Sequence, residues 1–155
     1  MNEQTTLFLG PEENIAILKG IFSSKKSSAE DIARVVDRKK GTVNNSIHDL
    51  KILNLIDGQI NVKDEARNIV YDRNAKQILK TLFIAVSGNK EAVKEINSEE
   101  QINPLKAGKI FCFYTNARAT KESSITQIGR LYLRWLKFLD LIENKEKEGE
   151  IKNRS

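Results

Sequence analysis

Apolar and polar positions follow a helical period between residues 42 and 57, where the sequence is TVNNSIHDLKILNLID. At 100° per residue, the apolar side chains fall on one arc of a helix and several polar side chains fall on another. The apolar arc holds Val43, Ile47, Leu50 and Leu53, and the polar arc holds Asn44, Asn45, His48 and Lys51. The pattern predicts a helix over residues 41–53 with one packed face and one free face.

The free face has an unusual composition for a surface that contacts only solvent. Two adjacent asparagines lower helix propensity, whereas Glu and Lys would favour both the helix and solubility. An Asn side chain can form two hydrogen bonds with an adenine edge in the major groove of DNA. We therefore interpret this segment as a DNA-recognition helix.

A turn and a short hairpin are predicted directly after this helix. Asn54 is a residue type that can end a helix in the left-handed conformation. Residues 55–62, LIDGQINV, place two short apolar strands around Asp57-Gly58, a pair typical of tight hairpin turns.

Two helices are predicted before residue 41, preceded by a loose arm over residues 1–10. Pro11 can occupy the first position of a helix that runs to about Phe22. A second helix ends at Val36 and has two overlapping capping boxes, Ser27 with Glu30 and Ser28 with Asp31. Its expected buried residues are Ala29, Ile32, Val35 and Val36.

Residues 27–66 resemble the winged helix-turn-helix of bacterial and archaeal transcription regulators, in the order helix, TV-initiated helix, leucine-rich end and wing. Such families usually have Gly at the position of Asn54, and often Thr and Gly at those of Lys63 and Ala66. The resemblance implies a winged-helix fold and DNA binding, although winged helices also serve as protein-interaction modules.

The second half of the chain is also predicted to be helical. Residues 75–86 carry a broad apolar stripe, residues 90–96 form a short helix, and Asn103-Pro104 is a strong signal for the start of another helix. The stripe consists of Ile78, Leu79, Leu82, Phe83 and Val86. It is wider than one small winged helix needs, so it either joins two units of a tandem monomer or pairs in a homodimer.

An internal repeat links the two halves. The segment LRWLKFLDLIE at residues 133–143 aligns without gaps to IHDLKILNLID at residues 47–57. Under this alignment Asn44, His48 and Lys51 correspond to Arg130, Arg134 and Lys137. The second helix therefore carries a strip suited to phosphate contacts, or else only a solvated face.

We predict a mainly α fold with a small β-hairpin wing, in which a winged helix-turn-helix precedes a second, related helical unit. The expected limits are residues 11–72 for the winged helix, 73–143 for the second unit and 144–155 for a charged, frayed tail, with at most a short wing around Gly149.

The charge of the chain favours a polyanionic partner. Its net charge is +5, and residues 1–14 hold three acidic and no basic side chains while residues 143–155 hold four of each, which leaves +8 for residues 15–142. Excess positive charge of this kind attracts nucleic acid. The start of the chain has no leader pattern and its longest apolar run is too short to cross a membrane, so a cytoplasmic, nucleoid-associated protein is expected.

Catalytic chemistry is not indicated by the sequence. The chain has one His, one Cys and no phosphate-binding glycine loop, so we expect no enzyme activity, no cofactor and no metal. Cys112 lies in the run IFCFY and is predicted to be a small core residue. His48 is either a DNA contact or an exposed helix residue without function.

The favoured function is binding of double-stranded DNA, as a transcription regulator or as the DNA-reading part of a larger system. The alternative is a protein-interaction or assembly module built on the same scaffold. The predicted DNA-binding residues are Arg38, Lys39, Lys40, Thr42, Asn44, Asn45, His48, Lys51, Arg130, Arg134 and Lys137.

Overall fold

The computed structural model describes residues 3–142 of the chain, and this part is mainly helical, as the sequence predicts. It contains eight helices. They are α1 (Pro11–Ser24), α2 (Ala29–Val36), α3 (Lys40–Ile52), α4 (Asp64–Val70), α5 (Ala75–Ala85), α6 (Asn89–Ser98), α7 (Pro104–Thr115) and α8 (Glu122–Phe138). The predicted tail at residues 144–155, with its possible wing around Gly149, lies outside the described residues.

The described chain divides into two compact units. The first unit consists of residues 7–86, and the second consists of residues 3–6 together with residues 87–142. The sequence predicts this boundary after residue 72. In the structure α5 packs against α4, and its residues Leu79 and Phe83 are fully buried, so α5 belongs to the first unit.

The helix start signals in the sequence are confirmed. Pro11 and Pro104 occupy the first turns of α1 and α7, and the Asn103 side chain accepts a hydrogen bond from Lys106 N at 2.8 Å. At α2, the cap is Ser28, whose Oγ accepts from Asp31 N at 3.2 Å. These caps depend on residues three positions apart, which is why local sequence reveals them.

The buried face of α2 differs from the prediction, because only Ile32 of the four expected residues is buried, while Ala29 and Val36 are partly exposed. Val35 is 49% exposed, and the buried residues of this helix are Ile32 and Ala33. The absence of a side chain at Gly20 lets Val36 approach α1 closely. Successive residues point about 100° apart on a helix, so Val35 is turned outward.

The segment after α3 forms a smaller hairpin than predicted. A single antiparallel bridge joins Ile56 to Val62, and no strand occurs within residues 3–142, so the two-stranded wing is not confirmed. Ile60 N donates to Asp57 O at 3.1 Å, and Ile60 itself has φ 61°. A turn followed by a left-handed residue is a three-residue hairpin loop that favours Gly at the position held by Ile60. Asp57-Gly58 therefore begins the turn but does not supply its left-handed residue.

Residues 3–9 are not the loose arm that the sequence predicted. In the second unit, Thr5 N donates to Thr115 O at 2.9 Å, and the hydroxyl oxygens of Thr6 and Thr115 are 2.7 Å apart. In the first unit, Leu7 is only 1% exposed. The local sequence shows no periodicity here because the partners are distant in the chain.

The core of the second unit is aromatic and tightly packed. The Phe111 and Tyr132 rings stack with centroids 3.9 Å apart, and Trp135 is fully buried. A Cβ atom on Gly129 would lie 2.7 Å from Gly108 N and would clash with the Pro104 carbonyl oxygen. Two glycines thus allow the close approach of α7 and α8.

Cys112 is half-buried rather than a core residue, and burial raises the pKa of its thiol.

Candidate nucleic-acid interface

Helix α3 has the two faces that the periodicity predicted. Val43, Ile47 and Leu50 are buried, and α1 and α2 both pack against this helix. The exposed residues on its other side are Asn44, Asn45 and Lys51. The first unit therefore presents two adjacent asparagines and a lysine on one helical surface.

The end of α3 is fixed by the left-handed residue that the sequence indicated. Asn54 has φ 63°, and the next residue, Leu55, donates its N–H to Leu50 O at 2.8 Å. The Nζ atom of Lys63 donates to Asn54 Oδ1 across the start and end of the hairpin. This contact places the basic group of Lys63 beside the end of α3.

A buried polar network lies on the packed side of α3, and it is not among the features that the sequence predicts. Asp49 is fully buried, and its carboxylate accepts hydrogen bonds from Phe8 N and Leu9 N, each at 2.8 Å. Asn14 Nδ2 donates to the same carboxylate at 3.0 Å, and Ser46 donates to Asn14 Oδ1 at 2.7 Å. The sequence did contain one signal for this network, because the acidic residue Asp49 lies between Ile47 and Leu50 of the apolar arc.

Burial has a direct electrostatic effect on Asp49. Desolvation raises the pKa of its carboxyl from the ordinary 3.8 to about 6, against the opposing effect of the hydrogen bonds from Asn14, Phe8 and Leu9. The three donors favour the ionised form and limit the shift.

His48 is half-buried and is held against an aromatic ring. Its imidazole stacks on Phe8 with ring centroids 4.1 Å apart and an angle of 12° between the planes. Phe8 is itself 43% exposed. The imidazole therefore has a defined orientation next to the exposed asparagines.

The basic residues before α3 are accessible, but two of them form ion pairs. Arg38 Nε lies 2.7 Å from an oxygen of Glu13, and Lys40 Nζ lies 3.0 Å from an oxygen of Glu30. Lys39 is the exposed N-cap residue of α3. Exposed pairs of this kind contribute only about 0–1 kcal/mol, so a phosphate group can replace the carboxylate partners.

Thr42 completes the predicted set on this unit and is partly exposed in the first turn of α3. Its position near the helix N-terminus is one from which hydroxyl groups commonly contact phosphates.

The three basic residues predicted in the second unit are also exposed. Arg130, Arg134 and Lys137 lie on α8 at spacings of four and three residues, which place them on one side of the helix. The helix carries Tyr132 and Trp135 on its buried side. The structure thus groups the predicted residues into one set per unit.

A groove of about 540 Å³ opens on the first unit between residues of α1, α2 and α4. Its lining includes Phe22, Val35 and Val36 together with the side chains of Arg38 and Tyr71. Tyr71 is 55% exposed and meets the Phe22 ring edge-to-face. Arg38 therefore borders an apolar surface as well as the start of α3.

Two further findings concern the described residues 3–142. They contain no cluster of three or more His, Cys, Asp or Glu side chains that could hold a metal ion. Within the same range, every helix is too short or too polar to cross a membrane.

Comparison with known families supports the assignment of the first unit. Residues 15–63 match a family model described as a winged helix-turn-helix transcription repressor, HrcA DNA-binding. The match runs from α1 to the end of the hairpin and includes all of α2 and α3. It confirms the resemblance to a prokaryotic winged helix-turn-helix. Searches of curated proteins and of solved structures found no match to this chain.

Proposed function

We propose that this protein binds double-stranded DNA as a transcription repressor, with α3 as its recognition helix. The observation that carries the proposal is the exposed pair Asn44 and Asn45 next to His48, within the segment that matches the DNA-binding family model. In a helix-turn-helix, the second helix of the motif lies in the major groove and its exposed residues reach base edges.

Base reading is assigned to the exposed side of α3. Asn44 or Asn45 can bond to N6 and N7 of adenine, and His48 can donate to or accept from a base edge or a phosphate. Each well-formed bidentate contact contributes about 1–3 kcal/mol of discrimination between bases.

Backbone contacts are assigned to the residues that precede and flank this side. Arg38, Lys39 and Lys40 lie before or at the start of α3, with Thr42 in its first turn and Lys51 in its last. Contacts with phosphate fix the register of a protein on DNA without reading its sequence. The hairpin at residues 55–63, with Lys63, would act as a short wing beside the duplex.

The second unit is proposed to contact phosphates without reading bases. Its exposed residues Arg130, Arg134 and Lys137 carry only positive charge, which favours phosphate over a particular base edge. The proposed activity is binding alone, without catalysis or a cofactor, in the cytoplasm at the nucleoid.

A homodimer through α5 remains a prediction. Leu79, Phe83 and Val86 are buried within one chain, whereas Ile78 and Leu82 are partly exposed and would provide the contact. Sedimentation at micromolar concentration tests this prediction. A purely monomeric protein would exclude the homodimer, and the tandem monomer would remain as the alternative.

The decisive experiment compares two matched asparagine substitutions. Asn44 lies on α3 and Asn68 lies on α4, and both are exposed helix residues, so replacement by Ala changes helix propensity in the same way. Selection from random duplex DNA should give a motif for the full-length protein. Asn44→Ala should relax one position of that motif and weaken binding by about 1–3 kcal/mol, while Asn68→Ala should leave both unchanged.

If Asn44→Ala and Asn45→Ala both behave like Asn68→Ala, α3 is not the reading helix. Binding of the unmodified protein to duplex DNA that does not weaken as salt rises would refute the DNA-binding proposal itself, because phosphate contacts release counterions.

One observation favours the alternative of a protein-interaction module. Val35 and Tyr71 expose apolar surface at the groove of the first unit, and exposed apolar patches mark interaction sites. Under that alternative, Val35→Ser would abolish binding to a partner protein.

A further inference from the structure

The stack between Phe8 and His48 connects a segment outside the helix-turn-helix to helix α3. The segment lies before the residues matched by the family model, which begin at Ile15. The two ring planes are nearly parallel, at 12°, and the centroids are 4.1 Å apart. Phe8 remains 43% exposed, so this ring is not a core residue that happens to touch a histidine.

The position of Phe8 is fixed by the residue that follows His48. Asp49 accepts the N–H groups of Phe8 and Leu9, both at 2.8 Å, and Leu7 is buried. The same helix therefore supplies the imidazole and, one residue later, the carboxylate that holds the stacking ring. Phe8 cannot move along α3 without breaking a buried, charge-assisted pair of hydrogen bonds.

We propose that Phe8 is a positioning residue for DNA recognition, because it sets the plane of the His48 imidazole on the reading side of α3. This inference rests on the proposed function of α3. The ring nitrogens of His lie in the ring plane and bond only along it, so the plane decides which base edge or phosphate they can reach. An imidazole without the stack would have more orientations to lose on binding, and the stack reduces that entropic cost.

The expected loss without the stack follows from that cost. Ordering one side chain reduces affinity by about three- to tenfold, so Phe8→Leu should weaken DNA binding by this factor. Phe8→Tyr keeps the ring and should retain wild-type affinity. Phe113→Leu is the matched control, because Phe113 is an exposed aromatic residue, 75% accessible, on α7 in the second unit.

The stack itself can be measured without DNA. The chain has one histidine, so the imidazole signals of the full-length protein are assigned without ambiguity in a proton–carbon spectrum. A stacked phenyl ring shifts these protons upfield. Phe8→Leu should remove the shift and Phe8→Tyr should keep it, while thermal unfolding shows that each variant is folded. A shift that is the same in all three proteins would overturn the proposal.

A double-mutant cycle then tests whether Phe8 acts through His48. The ligand is the duplex selected by the unmodified protein. Phe8→Leu should cost three- to tenfold in the wild-type background but less than about twofold in a His48→Ala background, because the side chain it positions is gone. Equal losses in both backgrounds would show a structural role only and overturn the proposal.

The outcomes separate this proposal from the function on which it rests. If the full-length protein fails to bind duplex DNA, both are wrong. If it binds and loses motif preference with Asn44→Ala, but the Phe8 and His48 effects are additive, the recognition helix stands and the positioning role is refuted.

Discussion

Helices α3 and α8 end with the same backbone geometry, although they belong to different units. Asn54 follows α3 with φ 63° and Asp140 follows α8 with φ 55°, both in the left-handed region. Two equivalent hydrogen bonds of 2.8 Å come next, from Leu55 N to Leu50 O and from Leu141 N to Leu136 O. This agreement supports the internal repeat over its described residues and shows that one leucine pattern specifies the same helix end twice.

The buried sides of the two helices are stabilised differently. The repeat aligns Asp49 with Trp135, and both side chains are fully buried. Asp49 forms a hydrogen-bonded network with residues of the N-terminal segment, whereas Trp135 fills an apolar core. The same helical framework therefore tolerates either a satisfied acid or a large aromatic residue at one position.

The packing distances also differ. Val43 on α3 aligns with Gly129 on α8, where α7 approaches so closely that a side chain has no space. Val43 fills part of the core of the first unit, whereas Gly129 allows close backbone contact between α8 and α7 in the second unit. The leucine pattern thus fixes the end of the helix but not its neighbours.

The largest effect is expected from adding a methyl group at this close contact. Gly129→Ala should destabilise the protein by about 3 kcal/mol, because backbone atoms of Pro104 and Gly108 cannot move aside as a side chain would. Denaturant unfolding followed by circular dichroism measures the change. Gly41→Ala is the control in α3, where nothing lies within 4 Å, and it should stabilise by about 0.5–1 kcal/mol. Similar effects at both glycines would contradict the contrast in packing.

The second expectation concerns pH and the buried acid. The folded-state pKa of Asp49, about 6, lies above its ordinary value of 3.8, so the folded state binds its proton more readily than the unfolded state does. The stability contributed by this site is therefore present below pH 3.8 and is lost as pH rises through 6. Over this pH range the contribution of Asp49 to the unfolding free energy should change by about 3 kcal/mol, and Asp49→Asn should abolish that change.

A second aspartate provides the control for this profile. Backbone hydrogen bonds from Asn61 and Gln59 lower the pKa of Asp57, so its contribution is present above the ordinary pKa and is lost as pH falls through the lowered one. Asp57→Asn should change the acid side of the profile only. A profile that Asp49→Asn leaves unchanged between pH 4 and 7 would contradict the burial of a titrating carboxyl.

These residues also show which structural features the sequence alone can predict. Features that depend on neighbours within one turn were predicted correctly, among them the cap at Ser28 and the left-handed Asn54. The clamp between Asp49 and Phe8 was missed, because the two are 41 residues apart and neither carries a local pattern. The two-stranded wing is not confirmed, and the turn of the small hairpin holds a left-handed Ile60 where the sequence would favour Gly.

The smallest effect is expected from substitutions on the exposed side of α8. Arg130 and Arg134 of α8 align with Asn44 and His48 of α3, so charge replaces groups able to read bases. If the second unit contacts phosphates, Arg130→Ala combined with Arg134→Ala should flatten the slope of log affinity against log salt by roughly 2 and leave the selected motif unchanged.

The control for this double variant removes the same charge elsewhere in the unit. Lys90 and Lys94 are exposed on α6, and replacing both by Ala lowers the net charge equally without touching α8. Because counterion release depends on phosphates that are contacted, the control should change the slope much less. Equal slopes for the two double variants would mean that only total charge matters. An unchanged slope in a folded Arg130→Ala, Arg134→Ala protein would show that α8 repeats the helix end of α3 without the DNA contact proposed for α3.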